Sequence, residues 1–566
     1  LVIILMFLGV VGCSTVNILP EQEEENMELE SELSPQEPSQ TTIPEMGGQL
    51  TIPLAMPDSF NPLFTASRDY INFAGLIYEG LFAYDENLNL VPSLVERWEV
   101  LEDGKKWHFY LKEEIKWHNG NELTAEDVKY TFDLLYHHNK ELDEEEDASL
   151  YETRLFKDIN IVGMELMENE PYTIVLILNE PAGRVLKDAF TFPILPKDIA
   201  NSDVDSFIGT GPFKVDSGNM EIGGGVKLVR NEKWWKASKP YIDSILVKVY
   251  KDNVESMEAF KKGHVDLVDT HVVFVESPEI DREIQLYRYL TQSYNYIGIN
   301  YNASSPLLDN RVRKAIAYAM DRKDIVSRVY SHNALAVDVP IPPDSWLYDP
   351  DLRMYDHQSE KAQQLLEEAG WTSLNFEGIL QKNVGGENIP LSFTINANMD
   401  NNMHKEALNL IIEQLANVGV EVKPILLPWD EYVEALEQGD FEAVLGEYFL
   451  DLSSDLRPML HSQGRDNNLN DKDLENIYID NKDLNNFVGY KNIQLDGLLD
   501  KGNKTDDPGD IQETYKSIQE HLIEELPIIS LYYKTSSLIV NERVQGIKIP
   551  RELMIFRDIE KWHLIE

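Results

Sequence analysis

Leu391-Ser392-Phe393-Thr394-Ile395-Asn396-Ala397, followed by Met403 to Val418, Gly419 and then Val420-Glu421-Val422-Lys423-Pro424-Ile425-Leu426, is the stretch whose reading decides the fold. The outer segments alternate apolar and polar residues, the two-residue period of a strand with one face buried. Between them Ala407, Leu408, Ile411 and Leu415 recur at helical spacing, and Gly419 supplies the stop. Strand, helix, strand is the unit of an α/β fold. The same interleaving extends in both directions. Strands are expected at Leu50 to Leu54, Trp107 to Leu111, Tyr172 to Leu178 and Tyr294 to Asn300, and helices at Tyr70 to Leu81, from Thr124, at Asn310 to Tyr330 and at Glu360 to Ala369 before Gly370. Thr124 with Asp127 forms a near capping box. His137 to Asp147 is charged and reads as a surface turn, and no internal repeat is found.

The chain has 566 residues and a formal net charge of -49, with a single cysteine, Cys13. From Gly47 onward the body is long enough for three or four structural units and can bury large cores without disulfides. Nucleic acid is excluded as a partner, because binding phosphates needs a basic face. The acidity suits steering of cationic solutes, or simply solubility in a salty or acidic habitat.

Leu1 to Gly12 is an apolar run with small residues before Cys13. It is too short to span a bilayer and has the proportions of a signal-peptide core. Val10-Val11-Gly12-Cys13 resembles the lipobox of bacterial lipoproteins, which implies lipidation at Cys13 and anchoring to the outer face of the cell membrane. No Lys or Arg precedes Arg68, so the basic region of such a signal is expected upstream of Leu1. Ser14 to Met46 carries nine Glu, no basic or aromatic residue, and prolines at 20, 35, 38 and 44. A segment of this kind cannot offset its ordering entropy by burial. As a flexible chain it would span about 30 Å, which suits a tether.

Several patterns that suggest chemistry have plainer readings. Trp117-His118-Asn119-Gly120 contains an Asn-Gly turn signal. Gly209-Thr210-Gly211 resembles a phosphate loop, but Pro212 has no N–H to donate and no Lys-Ser or Lys-Thr follows. It reads as a chain crossing. Arg311 and Arg313 near a helix start call for carboxylate partners such as Asp309 or Asp321. His137-His138 has no further ligand at metal spacing, and neither a zincin motif nor a nucleophile elbow occurs. Neither an enzyme nor a cofactor is implied.

Other motifs carry a resemblance. Tyr78-Glu79-Gly80-Leu81, Pro92-Ser93-Leu94-Val95-Glu96-Arg97-Trp98-Glu99-Val100 and Trp117 to Val128 occur in that order. Gly209-Thr210-Gly211-Pro212-Phe213, Arg230-Asn231-Glu232-Lys233-Trp234-Trp235, Pro240-Tyr241-Ile242-Asp243 and Asp309 to Arg322 follow, then Asn486, Gly489, Tyr490, Asn492 and Asp496. Together they resemble the family 5 extracellular solute-binding proteins, the oligopeptide receptors of ABC importers. The resemblance implies a two-lobed clamp of the large periplasmic-binding-protein type, an α/β fold with an extra subdomain. The first lobe is expected at 47–82, 205–300 and 527–566, with 83–204 as the extra subdomain and 301–526 as the second lobe. The hinge is expected near Asn300 and Pro527. A monomer that delivers its ligand to importer permease subunits is also implied.

By the same resemblance, Asp451 falls where peptide receptors pair a carboxylate with the ligand's α-ammonium. Tyr448 and Phe449 precede it, Trp429 matches a residue lining a side-chain pocket, and His404 matches one that meets a peptide carboxylate. Backbone around Ser67 and around Glu447 to Phe449 would pair with an extended peptide. Asp451 also reads as a loop or capping acid, and Trp429 and Tyr448 read equally well as core. Three features depart from the family pattern: Leu452-Ser453-Ser454-Asp455 after the acid, and Leu436 and Leu445 at positions where peptide receptors often carry arginines. The implied function is capture of peptides, cationic ones among them. The family also takes nickel chelates, haem, opines and oligosaccharides, and a peptide-sensing signalling receptor fits the same sequence.

Overall fold

The strand, helix and strand of the deciding stretch form as Ser392–Asn398, Asn402–Ala416 and Glu421–Leu427. The computed structural model that contains them describes residues 44–141, 159, 161–197, 207–221, 225–270, 280, 282–352, 355–462 and 486–565. Cys13, the apolar run before it and the tether as far as Ile43 lie outside the described residues. The helix begins because Asn401 accepts the His404 N–H at 3.1 Å, and Gly419 turns the chain at φ 81° after it. The two strands pair in parallel from Ser392↔Glu421 to Asn398↔Leu427. Pro424 is tolerated because Glu421–Leu427 is the edge of its sheet.

That sheet runs in the order Leu267–Thr270, Ile528–Asn541, Ile284–Ile299, Ala443–Phe449, Ser392–Asn398 and Glu421–Leu427, with Ala334–Ala336 also paired to Ile528–Asn541. Ile284–Ile299 and Ile528–Asn541 are its long members, 16 and 14 residues, and they pair antiparallel along most of their length. The ladder shifts register twice near the middle: Leu531 is skipped between the pairs of Asn295 and Tyr296, and a wider break lies just before Tyr294. Leu290 pairs Thr535 and Tyr294 pairs Tyr533, so residues 291–293 stand opposite Lys534 alone. Such a bulge bends and twists the ribbon. The Thr291 hydroxyl, donating to the Lys534 carbonyl at 3.0 Å, holds it closed.

The buried apolar side chains divide at the same place. One large core holds residues from Leu50 to Tyr289 and from Leu538 to Trp562; the other runs from Leu290 to Tyr533. A small third cluster around Phe260 lies under Ile539. Each core is one lobe, and the two long strands cross from one to the other. The exchange therefore lies inside the strands, whereas the ends at Ile299 and Ile528, close to the boundaries expected near Asn300 and Pro527, both belong to the second core. Besides its share of the long sheet, the first lobe holds two four-stranded sheets. Gln49–Ala55, Ser244–Tyr250, Gly225–Arg230 and Phe213–Glu221 make one, and Val95–Leu101, Lys106–Leu111, Thr173–Leu178 and Ile161–Leu166 the other. The second, from the expected extra subdomain, shares the core of the first lobe through Trp107, Phe109 and Leu176.

The motifs of the first lobe meet around one buried carboxylate, Glu79. It accepts hydrogen bonds from the Thr210 hydroxyl at 2.9 Å and the Trp235 indole at 2.7 Å, with Lys236 Nζ at 3.7 Å. Burial pushes its pKa above the ordinary carboxylate value against those partners. The Gly211 N–H donates to the Ile77 carbonyl at 2.8 Å, and a Cβ on Gly209 would lie 1.9 Å from that same oxygen. His118 donates from Nε2 to the Gly211 carbonyl at 3.0 Å and accepts the Gly209 N–H on Nδ1 at 3.2 Å. Trp117 to Gly120 and Gly209 to Pro212 thus form a structural tie between distant segments.

Four expectations change. The helix expected over Asn310 to Tyr330 forms as two, Asn310–Ala319 and Arg322–Tyr330, because Asp321 accepts the Asp324 N–H at 3.0 Å and caps the second. The helix after Ser67 spans only Arg68–Ala74, because Leu76 and Ile77 give their carbonyls to Phe213 and Gly211. The helix from Ala125 continues to Glu141, through part of the segment read as a turn. Arg311 pairs with Asp309 at 2.7 Å, but Arg313 donates to the carbonyls of Leu307, Leu308 and Glu525, filling helix and loop ends that lack N–H partners. Because the obstacle at Gly209 is backbone and cannot swing away, Gly209→Ala is expected to destabilise the protein by about 3 kcal/mol. Chemical denaturation with an unchanged midpoint would refute this.

Candidate functional site

Ala443–Phe449 is buried along one edge and open along part of the other. Its pairing with Ile284–Ile299 runs from Ile299↔Ala443 to Ser293↔Phe449. On the other edge it meets Ser392–Asn398 only at Ile395↔Ala443 and Asn396↔Val444. From Leu445 to Glu447 that edge has no strand partner among the described residues, although the Tyr432 hydroxyl donates to the Leu445 carbonyl at 3.0 Å. An unpaired strand edge in a sheltered position is a template for an added strand.

Asp451 follows directly. Its Oδ1 accepts the Ser453 hydroxyl at 2.5 Å and the Asp455 N–H at 3.3 Å. Among the described residues Oδ2 has no hydrogen-bond partner, and the side chain is half-buried. The neighbouring Asp455 is buried and paired with Arg457 at 2.7 Å, which holds its carboxyl below the ordinary range although burial alone would raise it. Asp451 is therefore both a loop acid and one with an oxygen still open to a donor.

Ser67 serves mainly as a cap. Its hydroxyl accepts the Tyr70 N–H at 3.3 Å, starting Arg68–Ala74. Asp58 accepts the N–H groups of Ala66 and Ser67 at 2.9 and 3.2 Å and the Thr65 hydroxyl at 2.7 Å. Slight burial raises the Asp58 pKa, but these bonds hold it below the ordinary value. With those two N–H groups engaged, this segment offers carbonyls rather than donors to an extended chain. The next residue, Arg68, pairs with Glu552 and lies over the Phe449 ring at 4.9 Å. Glu552 in turn accepts the Gln292 N–H, within the bulge, at 2.6 Å. The Ser67 segment and the Phe449 segment, far apart in sequence, are thus joined at the point where the lobes exchange.

Below Phe449, Glu447 is mostly buried. It accepts from Lys534 Nζ at 2.7 Å and from the Ser293 hydroxyl, and His404 Nε2 lies 3.6 Å away. Burial would raise the Glu447 pKa, yet Lys534 and the other partners hold it low. His404 is 4 % exposed and donates from Nε2 to Asn295 Oδ1 at 2.9 Å. Its burial outweighs the nearby carboxylate and lowers its pKa to about 4, so the ring is neutral. The structure thus seats His404 beneath the sheet, facing Asn295 and Glu447. Trp429, half-buried, stacks on Tyr432 with ring centroids 5.8 Å apart, and its backbone N–H donates to the Asp400 carboxylate at 3.1 Å. Tyr448 is buried against the second core, whereas Phe449 is partly exposed at the lobe junction. Leu436 and Leu445 are core residues.

A family model described as "Bacterial extracellular solute-binding proteins, family 5 Middle" matches residues 89–470. The chain belongs to this family. It is thereby an extracytoplasmic solute-binding receptor of an ABC importer and not an enzyme. It is 28 % identical to the oligopeptide-binding protein AppA of Bacillus subtilis over 92 % of each chain. The solved structure of AppA from Bacillus subtilis, in complex with a nonapeptide, superposes with a TM-score of 0.59 at 26 % identity, covering 93 % of this chain and all of that one. The structure of HbpA2 from Haemophilus parasuis gives a TM-score of 0.72 at 21 % identity over 92 % of this chain and 100 % of that one, a likeness of fold.

In this solute-binding protein, sequence reasoning missed Asp58, Glu447 and Lys534. Glu447 carried a signal, since an acid inside the apolar strand Ala443–Phe449 needs a buried partner. Nothing local marked Lys534 as that partner. Among the described residues no group of three or more metal-ligating side chains occurs, and no helix is long and apolar enough to cross a membrane.

The histidines predict a pH response. Below the ordinary value of 6.5 the unfolded chain protonates His404 while the folded protein keeps it neutral to about pH 4, so stability falls as pH drops through that window. His118, also lowered to about 4 by burial, acts in the same direction. Unfolding free energies between pH 7.5 and 4 should decline less steeply in His404→Gln, by about 3 kcal/mol over the interval. Parallel curves for the two proteins would count against a neutral His404.

Proposed function

We propose that this receptor is anchored by lipid at Cys13 and captures peptides, which add as a strand alongside Ala443–Phe449 beyond its short pairing with Ser392–Asn398 and place their α-ammonium on Asp451. The single observation that carries the reading is the position of Asp451. A carboxylate whose Oδ2 has no hydrogen-bond partner among the described residues follows Ala443–Phe449, a strand that meets Ser392–Asn398 only through Ala443 and Val444. Edge pairing gives affinity independent of side chains, and a charge-assisted bond to the ammonium fixes direction and register. The Ala66 carbonyl across the junction is the second rail, Phe449 and Trp429 line side-chain space, and His404 supports Glu447 from below.

The lobes are the two cores, with the hinge at residues 290–294 and 533–535. A ligand touching Ala66 to Arg68 on one side and Asp451 on the other stabilises the closed form, because only contacts made to both lobes favour closure. The importer then distinguishes loaded from empty receptor by shape. The chain acts as a monomer on a tether of about 30 Å.

The test is thermal unfolding of the full chain in detergent, stripped of bound solute, against a mixed-length peptide digest in native and N-acetylated forms, with sugars and metal chelates alongside. At a hundred times Kd the native digest should stabilise the protein by about 2.7 kcal/mol, roughly 2–3 °C for a chain of this size. N-acetylation and Asp451→Ala should each remove most of that shift. A shift with a chelate or sugar and none with either digest would reject the peptide reading.

A further inference from the structure

The short helix Arg184–Ala189 packs into the first core through Val185 and Leu186, yet its first residue reaches the second lobe. Gly183 and Arg184 donate their backbone N–H groups to the carbonyls of Asn503 and Thr505, both at 3.1 Å. A Cβ on Gly183 would lie 2.3 Å from the Lys504 carbonyl oxygen, so this approach requires glycine. The Arg184 side chain, 4 % exposed, then enters the loop that carries Asp451. Nη1 donates to the Ser453 carbonyl, and Nη2 donates to the Tyr515 hydroxyl at 2.6 Å. That hydroxyl donates in turn to the Ser454 carbonyl at 2.9 Å.

The Ser453 carbonyl is thus held directly from the opposite lobe, and the Ser454 carbonyl by a hydroxyl of its own lobe that Arg184 anchors. Between them Ser454, fully buried, adopts φ 56°, in the left-handed region. A non-glycine residue stays there only where its surroundings over-determine it. The loop in turn sets the carboxylate, because Oδ1 of Asp451 is fixed by Ser453 Oγ and the Asp455 N–H. Burying a guanidinium is costly unless its donors are satisfied, and the described residues give Arg184 no ion pair. Nη1 and Nη2 meet carbonyl and hydroxyl dipoles, Nε has no hydrogen-bond partner among the described residues, and Asp455 and Asp188 are near enough to act through space. Simple adhesion between lobes does not need that arrangement, since Lys187 and Asp506 already form an ion pair across the same junction.

We propose that Arg184 is a positioning residue for the ligand anchor: seated against the second lobe, it holds the Ser453 carbonyl directly and the Ser454 carbonyl through the Tyr515 hydroxyl, so that Asp451 faces the incoming ammonium. The proposal rests on the role given to Asp451 above. It makes the extra subdomain, which the open strand edge does not involve, part of the recognition of the peptide's N-terminus.

The experiment measures binding of the native and N-acetylated peptide digests to the full chain, and amide hydrogen exchange across 451–456 without peptide. Arg184→Ala should weaken binding of the native digest about tenfold, leave the acetylated digest unchanged, and add no further loss in an Asp451→Ala background. Arg184→Lys should recover part of the loss. Tyr515→Phe removes one hydroxyl and keeps the fold, so it serves as the mild variant, with a smaller loss of the same selectivity. In both Arg184→Ala and Tyr515→Phe the 451–456 amides should exchange faster before any peptide is added. Equal losses for both digests, or for both Asp451 backgrounds, would overturn the proposal, as would unchanged exchange. If Asp451→Ala itself is without effect while exchange still responds, the role of Asp451 fails and carries this proposal with it. An effective Asp451→Ala beside an inert Arg184→Ala overturns this proposal alone.

Discussion

The antiparallel pairing of Ile284–Ile299 with Ile528–Asn541 is the constraint on which the rest of the molecule depends. Each strand gives one half to one core and the other half to the other, so the lobes are joined by a continuous ladder rather than by flexible linkers. The wider of the two breaks in that ladder is small, three residues opposite one, but it lies where the cores meet. Rotation about such a point leaves both cores intact, which is how rigid lobes can move against each other at little cost. The same point gathers the functional groups. Gln292 within the bulge holds Glu552, Glu552 holds Arg68, and Lys534 opposite the bulge holds Glu447. A ligand at the edge of Ala443–Phe449 would sit beside the axis, where a small rotation changes contacts on both sides together.

The electrostatics follow the same economy. The body is strongly acidic, yet the carboxylates nearest the site are mostly committed: Glu447 to Lys534, Glu552 to Arg68 and Asp455 to Arg457. Among these neighbours Asp451 keeps an oxygen without a hydrogen-bond partner among the described residues. Under the proposed role of Asp451, selectivity for an ammonium would come from one placed acid rather than from the general negative field, which attracts any cation and is screened over about 8–10 Å in physiological salt.

How much of this was legible in the sequence depends on whether the controlling interaction is local. The strand, helix and strand between Ser392 and Leu427 were readable because periodicity and the Gly419 stop are local signals. The helix after Ser67 was read too long, since what ends it is a pair of carbonyls diverted to Gly211 and Phe213, more than a hundred residues away. The continuation of Ile284–Ile299 through both lobes was hidden by its own bulge, where pairing fails over residues 291–293. In the candidate site, family resemblance pointed to Asp451, Phe449 and Trp429 as ligand-facing, which the geometry leaves as a proposal, and it gave His404 an exposed role, whereas the structure buries its ring against Asn295. Arg184 carried no signal at all. One arginine in a six-residue helix says nothing until the fold brings Ser453 and Tyr515 to it.

The position of Ile528–Asn541 also bears on how the protein comes to be folded. It lies between Leu267–Thr270 and Ile284–Ile299, in the interior of the long sheet, although it belongs to the last tenth of the chain. Neither core can close before that strand arrives, and pairings over such sequence separation are slow to form. A partly synthesised chain therefore remains without its central partner strand whatever its earlier segments do. For a protein destined for the far side of a membrane, late completion is useful: the polypeptide stays threadable until its end has passed, and the receptor assembles only where its ligand is found.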